Sequence, residues 1–478
     1  MSVLNREQAK VLISNGGGEV TIPDAVDEIA KKAFRGSGVT GVTFGPQSKL
    51  KIIGQQAFSD CEQLAVTMAI PDSVEQIGKW AFDGSGVIGV TFGPQSKLKI
   101  IGKQAFYECK QLTVTMAIPD SVEQIVNQAF KGSGVTGITF GAQSKLKIIG
   151  ENAFSQCKQL SATVVIPDSV EQIADEAFKG SGVTAITFGA QSKLKIIGRE
   201  AVRLWAQLAG TVVSIPDSVE QIDDGAFEGS GVTGITFGAK SELKIIGIAF
   251  SACKQLAGTV AIPDSVEKIT GYAFKESSVT GITFGAQSKL KIIGKQAFTA
   301  CKQLTGTMAI PDAVEEISSS AFKESRVTGV TFGAQSKLKI IGEQAFKECK
   351  QLAVTIEIPD SVEEIADCAF DGSGVTGITF GAQSKLKIIG ESAFCDCKQL
   401  TGTVAIPDSV EQIPDYVFDG SGVTGITFGP QSKLKNIGDQ AFSECAQLST
   451  MEIPLSINDI AEGAFKGVPF DTIKLITV

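Results

Sequence analysis

The chain has 478 residues, among them 52 glycines, 10 cysteines and no histidine, and its formal net charge is −9. Lack of histidine removes the commonest general base, zinc ligand and physiological pH switch, and the dispersed acidic balance lacks the clustered Lys and Arg that phosphate backbones attract. No stretch approaches the roughly 20 apolar residues a membrane-spanning helix needs, so neither nucleic acid nor a membrane-spanning role is expected.

The opening residues, MSVLNREQAK, lack the basic and apolar regions of a secretory signal. Asn5 to Ser14 predicts a helix with Leu4, Val11 and Leu12 on one side, terminated by Asn15-Gly16-Gly17-Gly18. Residues 1–19 are therefore expected to cap the first exposed turn of the chain's main body.

From Phe34 to Phe465 a phenylalanine returns at every twenty-fourth position or within one of it, broken once by Val202. Such regularity predicts stacked coils that bury a continuous core against their neighbours. Two similar halves alternate, so the full period is twice as long: one half runs from Ile70 to Gln95, the other from Ser96 to Ala117. In the first half Val74, Ile77, Ala81 and Phe82 are spaced by threes and fours, which predicts a short helical or 3₁₀ segment. A strand follows in each half, Val90-Thr91-Phe92 and then Thr115-Met116-Ala117-Ile118. Alternation places Val90, Phe92, Met116 and Ile118 inside, and Thr91, Thr115 and Ala117 outside. The proline that follows each second-half strand ends it. At the end of the chain, residues 466–478 are expected to form a capping strand, with Ile473, Leu475 and Thr477 alternating and Lys474 guarding the edge.

The pattern IPxSVxxIxxxAF followed by SxLxxIGxxAFxxCxxL resembles the BspA-like leucine-rich repeats over about residues 20–475. The expected fold is thus an α/β solenoid over residues 20–465. It is a leucine-rich-repeat-like coil of about 19 turns, each about 24 residues long and alternating as a double repeat. A parallel β-sheet lies on one face and short helical or 3₁₀ segments on the other. The resemblance implies a curved solenoid that serves adhesion or protein–protein binding, in a family that includes bacterial surface proteins.

Eight cysteines, from Cys61 and Cys109 to Cys445, keep the register of the double repeat. At about 4.8 Å per coil they would lie roughly 9–10 Å apart, beyond the ~7 Å Cα limit of a disulfide, so they predict a row of small buried thiols. Cys395-x-Cys397 stands alone, with no second pair and no histidine, and is a weak metal signature. Many unpaired cysteines favour a reducing, intracellular setting; the cell surface is the alternative. Acids such as Asp72 and Glu75 in one half face bases such as Lys97 and Lys99 in the next, which avoids a column of like charge.

Outward threonines recur at Thr43, Thr91, Thr139, Thr187, Thr236, Thr283, Thr331, Thr379 and Thr427, with others such as Thr67 and Thr115 interleaved midway between them. Their reading is a solvated strand face chosen for β-propensity, a flat uncharged protein-binding face, or a surface matched to a regular array such as ice. A second candidate lies in the irregular stretch 199–250, where Val202 replaces phenylalanine, Trp205 replaces cysteine, and Arg199 and Arg203 flank them. Arginine with tryptophan is the composition of interface hot spots; Trp205 refilling the volume lost at Val202 is the plainer reading. Near-identical groups spread along a line do not converge on an acid, base or nucleophile. No catalytic, cofactor-binding or metal-ligating residues are assigned. The expected function is a non-enzymatic scaffold that binds a protein partner, with surface adhesion, ice binding or an architectural spacer role as alternatives.

Overall fold

The computed structural model describes residues 2–203, 210–468 and 474–477. The chain divides into two compact units, Met1–Glu242 and Leu243–Val478. The first opens with the strand Val3–Leu4 and the helix Arg6–Asn15. Asn5 caps that helix: its side chain accepts from the Glu7 and Gln8 N–H groups, and Gln8 reaches back to the Asn5 N–H. The helix buries Ala9 and leaves Val11 57% exposed, so its inward side differs from the one expected.

Each unit is a parallel β-solenoid with two kinds of strand. Four-residue strands pair as Thr67–Ile70 with Gly89–Phe92, placing Met68 opposite Val90, Ala69 opposite Thr91 and Ile70 opposite Phe92. The same pairing recurs for Thr115–Ile118 with Gly137–Phe140, and for Thr307–Ile310 with Gly329–Phe332. Two-residue strands form a second ladder, one per coil, as in Ile52–Ile53, Gln76–Ile77 and Ile100–Ile101. The inner isoleucines Ile53, Ile77 and Ile101 are fully buried.

The four-residue strands do not form one unbroken sheet. Within a pair the step is the short one that sets Thr67 opposite Gly89. The next step, from Gly41 to Thr67, is four positions longer, and no ladder joins Gly41–Phe44 to Thr67–Ile70. The longer connection lets neighbouring pairs splay. One of the longer steps does carry a ladder: Gly425 pairs with Thr450 and Ile426 with Met451. There Thr403–Ile406, Gly425–Phe428, Thr450–Ile453 and Lys474–Thr477 form a single four-stranded sheet.

The expected helical or 3₁₀ segments are absent from the described coils; Arg6–Asn15 is the one helix among the described residues. Spacing by threes and fours arises instead from turns that alternate in hand. Residues two before and two after the core phenylalanine take positive φ, such as Gln56 at 56° and Asp60 at 59° around Phe58. A left-handed residue cannot continue a right-handed helix. The alternation turns three N–H groups toward the following coil: Gln56 donates to the Lys79 carbonyl at 2.9 Å, Phe58 to Ala81 at 2.7 Å and Asp60 to Asp83 at 2.8 Å. Left-handed conformation costs about 1–2 kcal/mol per non-glycine residue, and these bonds with the ring stacking offset it. Coils also approach closely at Gly54, where a Cβ would collide with the Ile29 carbonyl.

The phenylalanines stack face to face within each unit. Phe82 and Phe106 have centroids 5.1 Å apart and planes 3° from parallel, and Phe322 and Phe346 repeat this at 5.2 Å and 2°. All four rings are buried, which stabilises the fold by about 1.5–3 kcal/mol per ring. Val202 occupies the same station, also buried.

Candidate functional site

The outward face of the four-residue strands carries the threonines expected there. Thr43, Thr91, Thr139, Thr187, Thr236, Thr283, Thr331 and Thr379 are exposed, and Thr427 is half-buried. Strand register separates them from the interleaved set, because Thr91 stands opposite Ala69 while Thr67 stands opposite Gly89. The outward threonines therefore form two rows, each with the period of the double repeat. The reason is the unequal step between strands, which shifts alternate threonines by two positions. Most of the first row faces a small neighbour, as Thr139 faces Ala117 and Thr283 faces Ala261. Thr43 instead bonds Thr21 through their hydroxyls at 3.0 Å, and Thr236 bonds Ser214 at 2.9 Å.

Beside this face the strand splay opens a repeated cleft. Alternation places Phe92 inside, yet it is half-buried, as are Phe44, Phe284 and Phe332. These rings end their strands beyond the core wall, where the missing ladder leaves one side uncovered. In the first unit Phe44 and Phe92 flank a cleft of about 550 Å³ lined also by Gln47, Pro71, Asp72 and Thr91. In the second unit Phe284 and Phe332 flank one of about 620 Å³ with Pro311, Asp312 and Thr331. A Thr-Phe-Gly triplet once per double repeat is the sequence signal for these rings, and strand alternation misassigns it to the core.

The alternation of charge is realised as exposed pairs between coils: Lys387 with Glu363 at 3.0 Å, and Lys435 with Glu411 at 2.6 Å. Solvent screens such exposed pairs, so they set the order of charge along the coils more than they add stability. In the irregular stretch Arg199 meets Asp175 at 3.2 Å, and Arg203 meets Glu200 at 2.8 Å and Glu228 at 3.1 Å. Both arginines thus hold neighbouring coils together. Trp205 lies outside the described residues.

The cysteine row is buried, as expected. Seven of these thiols, from Cys61 to Cys445, donate to the carbonyl of a core phenylalanine in the preceding coil, for example Cys349 to Phe322 at 3.1 Å. Burial pushes the Cys109, Cys157 and Cys349 thiols up to about 12, against hydrogen bonds from serine neighbours that pull them down. Such thiols stay protonated near neutral pH and, sealed in the core, are closed to substrates and ions. Cys368 and Cys395 stand apart, half-buried and off the register. Around the latter, ligand atoms of Asp371, Cys395 and Asp396 lie within 4.8 Å of one another.

A family model described as a BspA type leucine rich repeat region, in six copies, matches this chain in overlapping segments from residue 17 to residue 477. No curated protein matches it. Among solved structures, a leucine-rich repeat protein from Bacteroides ovatus shares 19% identity at a TM-score of 0.45, over 90% of this chain and 88% of its own. A leucine rich cell surface protein from Faecalibacterium prausnitzii shares 21% identity at a TM-score of 0.33, over 93% and 91%. The pneumococcal vaccine antigen PcpA shares 15% identity at 0.26, over 96% and 79%.

Proposed function

This chain belongs to the BspA-type leucine-rich repeat family, and from that premise we propose that it is a non-enzymatic scaffold whose exposed strand face and flanking clefts bind a protein partner. The observation that carries this reading is the repeated pairing of an exposed threonine with a half-buried phenylalanine, as in Thr91 beside Phe92 and Thr331 beside Phe332. Apolar rings bordered by uncharged hydroxyls give a partner both contact area and hydrogen bonds. Repetition favours multivalent recognition, in which weak identical contacts combine. Residues 2–19 and the last strand, Lys474–Thr477, serve as caps in this reading; residues 469–473 and 478 of the expected cap lie outside the described residues.

Engagement of an ice-like array is disfavoured by the division of the threonines into two rows. The buried thiols fit the cell-surface setting implied by the family resemblance as well as they fit a reducing one, since a thiol sealed in the core stays free without a reductant. Among the described residues no helix is long and apolar enough to cross a membrane.

The test is affinity capture from the source cells with the full chain and with a Thr91→Arg/Thr139→Arg/Thr187→Arg variant of equal stability. The reading expects a protein captured by the parent and lost from the variant. Identical captures from both would overturn it.

A further inference from the structure

Eight of the ten cysteines form the buried ladder; the remaining two, Cys368 and Cys395, fall one coil apart at the turn that carries Asp371. The Asp371 N–H donates to the Cys368 carbonyl at 3.1 Å, and the Gly372 N–H donates to the Cys395 carbonyl at 2.9 Å. Backbone bonds therefore lock both thiol-bearing residues to the Asp371 turn. A sulfur of Cys395 and oxygens of Asp371 and Asp396 already lie within 4.8 Å of one another. Around zinc, with Zn–S near 2.3 Å and Zn–O near 2.0–2.2 Å, ligand atoms are separated by roughly 3.3–3.8 Å, so small side-chain rotations close the set.

We propose that Cys395, Asp371 and Asp396, completed by Cys368, bind one thiophilic divalent cation of the zinc type. Charge at this point favours a cation. The residue after the core phenylalanine is Lys275, Thr299, Lys323 and Lys347 in four successive coils, and then Asp371, Cys395 and Asp419. Lys347 holds one oxygen of Asp371 at 2.6 Å, leaving the other for a metal, and Lys398 touches Asp396 at 3.4 Å from an exposed position where it is free to swing away. Two lysines thus serve three carboxylates. Carboxylates alone suit hard cations such as magnesium or calcium, whereas thiolate ligands select zinc-like ions. Asp371 and Cys395 are half-buried and Asp396 is exposed, which shields the site on one side and leaves an entry path on the other. Binding replaces the S–H bond of each ligating cysteine by a sulfur–metal bond and releases that proton to solvent. This inference is independent of the scaffold reading.

The experiment titrates the full chain, kept reduced by a phosphine, with cadmium and then with zinc as competitor. It follows the sulfur-to-cadmium charge-transfer absorption. One equivalent is expected, displaced by zinc and not by excess magnesium. Cys395→Ser and Asp371→Asn should each weaken binding at least tenfold, and Cys368→Ser should weaken it and lower the absorption. The ladder variant Cys349→Ser should retain the site, with thermal unfolding reporting that every variant folds. Absence of a band at one equivalent overturns the site, as does a band that persists unchanged in Cys395→Ser or Asp371→Asn. An unchanged titration in Cys368→Ser removes that residue from the ligand set and overturns the four-ligand site.

Discussion

The Cys109 thiol donates to the carbonyl of Phe82 at 2.9 Å, one coil back and 27 residues earlier in the chain. It also lies 3.7 Å from the Ser85 hydroxyl. This relationship repeats for Cys61 with Phe34 and Cys445 with Phe418, so the ladder thiols are structural hydrogen-bond donors. Burial drives the Cys109 thiol up to about 12.

The eight ladder cysteines should accordingly resist alkylation at pH 8 in the native protein and react only after unfolding. Mass spectrometry after brief exposure to iodoacetamide checks this. Rapid labelling of Cys109 or Cys349 in the folded chain would show that the coil is open.

Gln104, two residues before Phe106, has φ of 55°, and Gly84, two residues after Phe82, has φ of 61°. Gln104→Gly should relieve conformational strain and stabilise by up to about 1 kcal/mol, net of the added chain entropy. Gly84→Ala should destabilise by about 1 kcal/mol. Denaturant midpoints for both variants decide the matter; a destabilised Gln104→Gly contradicts the backbone described.

Asp83 carries the clearest pH signature. Desolvation first, and then the neighbouring Asp60 and Glu108 carboxylates, raise it from 3.8 to about 6, against the Arg35 charge. Its folded form binds a proton more tightly than the unfolded chain, so its charge destabilises the fold above pH 6 and this penalty is relieved as pH falls toward 4. Asp83→Asn should therefore stabilise by about 1 kcal/mol at pH 7.5, after discounting for solvent screening. The gain should vanish near pH 4. Thermal unfolding across this range measures it.

The ring stack should be the dominant core contribution. Phe106→Ala removes a fully buried ring that lies 5.1 Å from Phe82 and 5.0 Å from Phe130. A loss of about 3–5 kcal/mol is expected. A loss below about 1 kcal/mol, measured by denaturant unfolding, would remove the stack from its central role.

Much of this fold was legible because the chain repeats itself. Phe106, Ile101 and Cys109 return at fixed intervals, and a buried station shows itself through such recurrence. The coil at Gln104 was not legible, since left-handed backbone is normally signalled by glycine, and glutamine, asparagine and glutamate carry it here. Periods of three and four then mimicked a helix. Phe92 misled because alternation assigns a side chain to a face without saying where the core wall ends. The splay that uncovers it follows from the alternation of a shorter and a longer step between strands, Thr67 to Gly89 against Gly41 to Thr67, a difference that emerges only when strands are paired. The Cys395 cluster is a matter of juxtaposition between coils. Cys395-x-Cys397 drew attention to the wrong partner, for Cys397 is buried in the ladder while Cys368, one coil earlier, shares the Asp371 turn.

The scaffold reading is tested most directly by photocrosslinking from single sites. A photoreactive side chain at Thr139, on the exposed strand face, is compared in cell extract with one at Lys147, beside the two-residue strand ladder. The account predicts a discrete crosslinked protein partner from Thr139 and none from Lys147. Equal crosslinking from both positions, or a discrete partner from Lys147 alone, would contradict it.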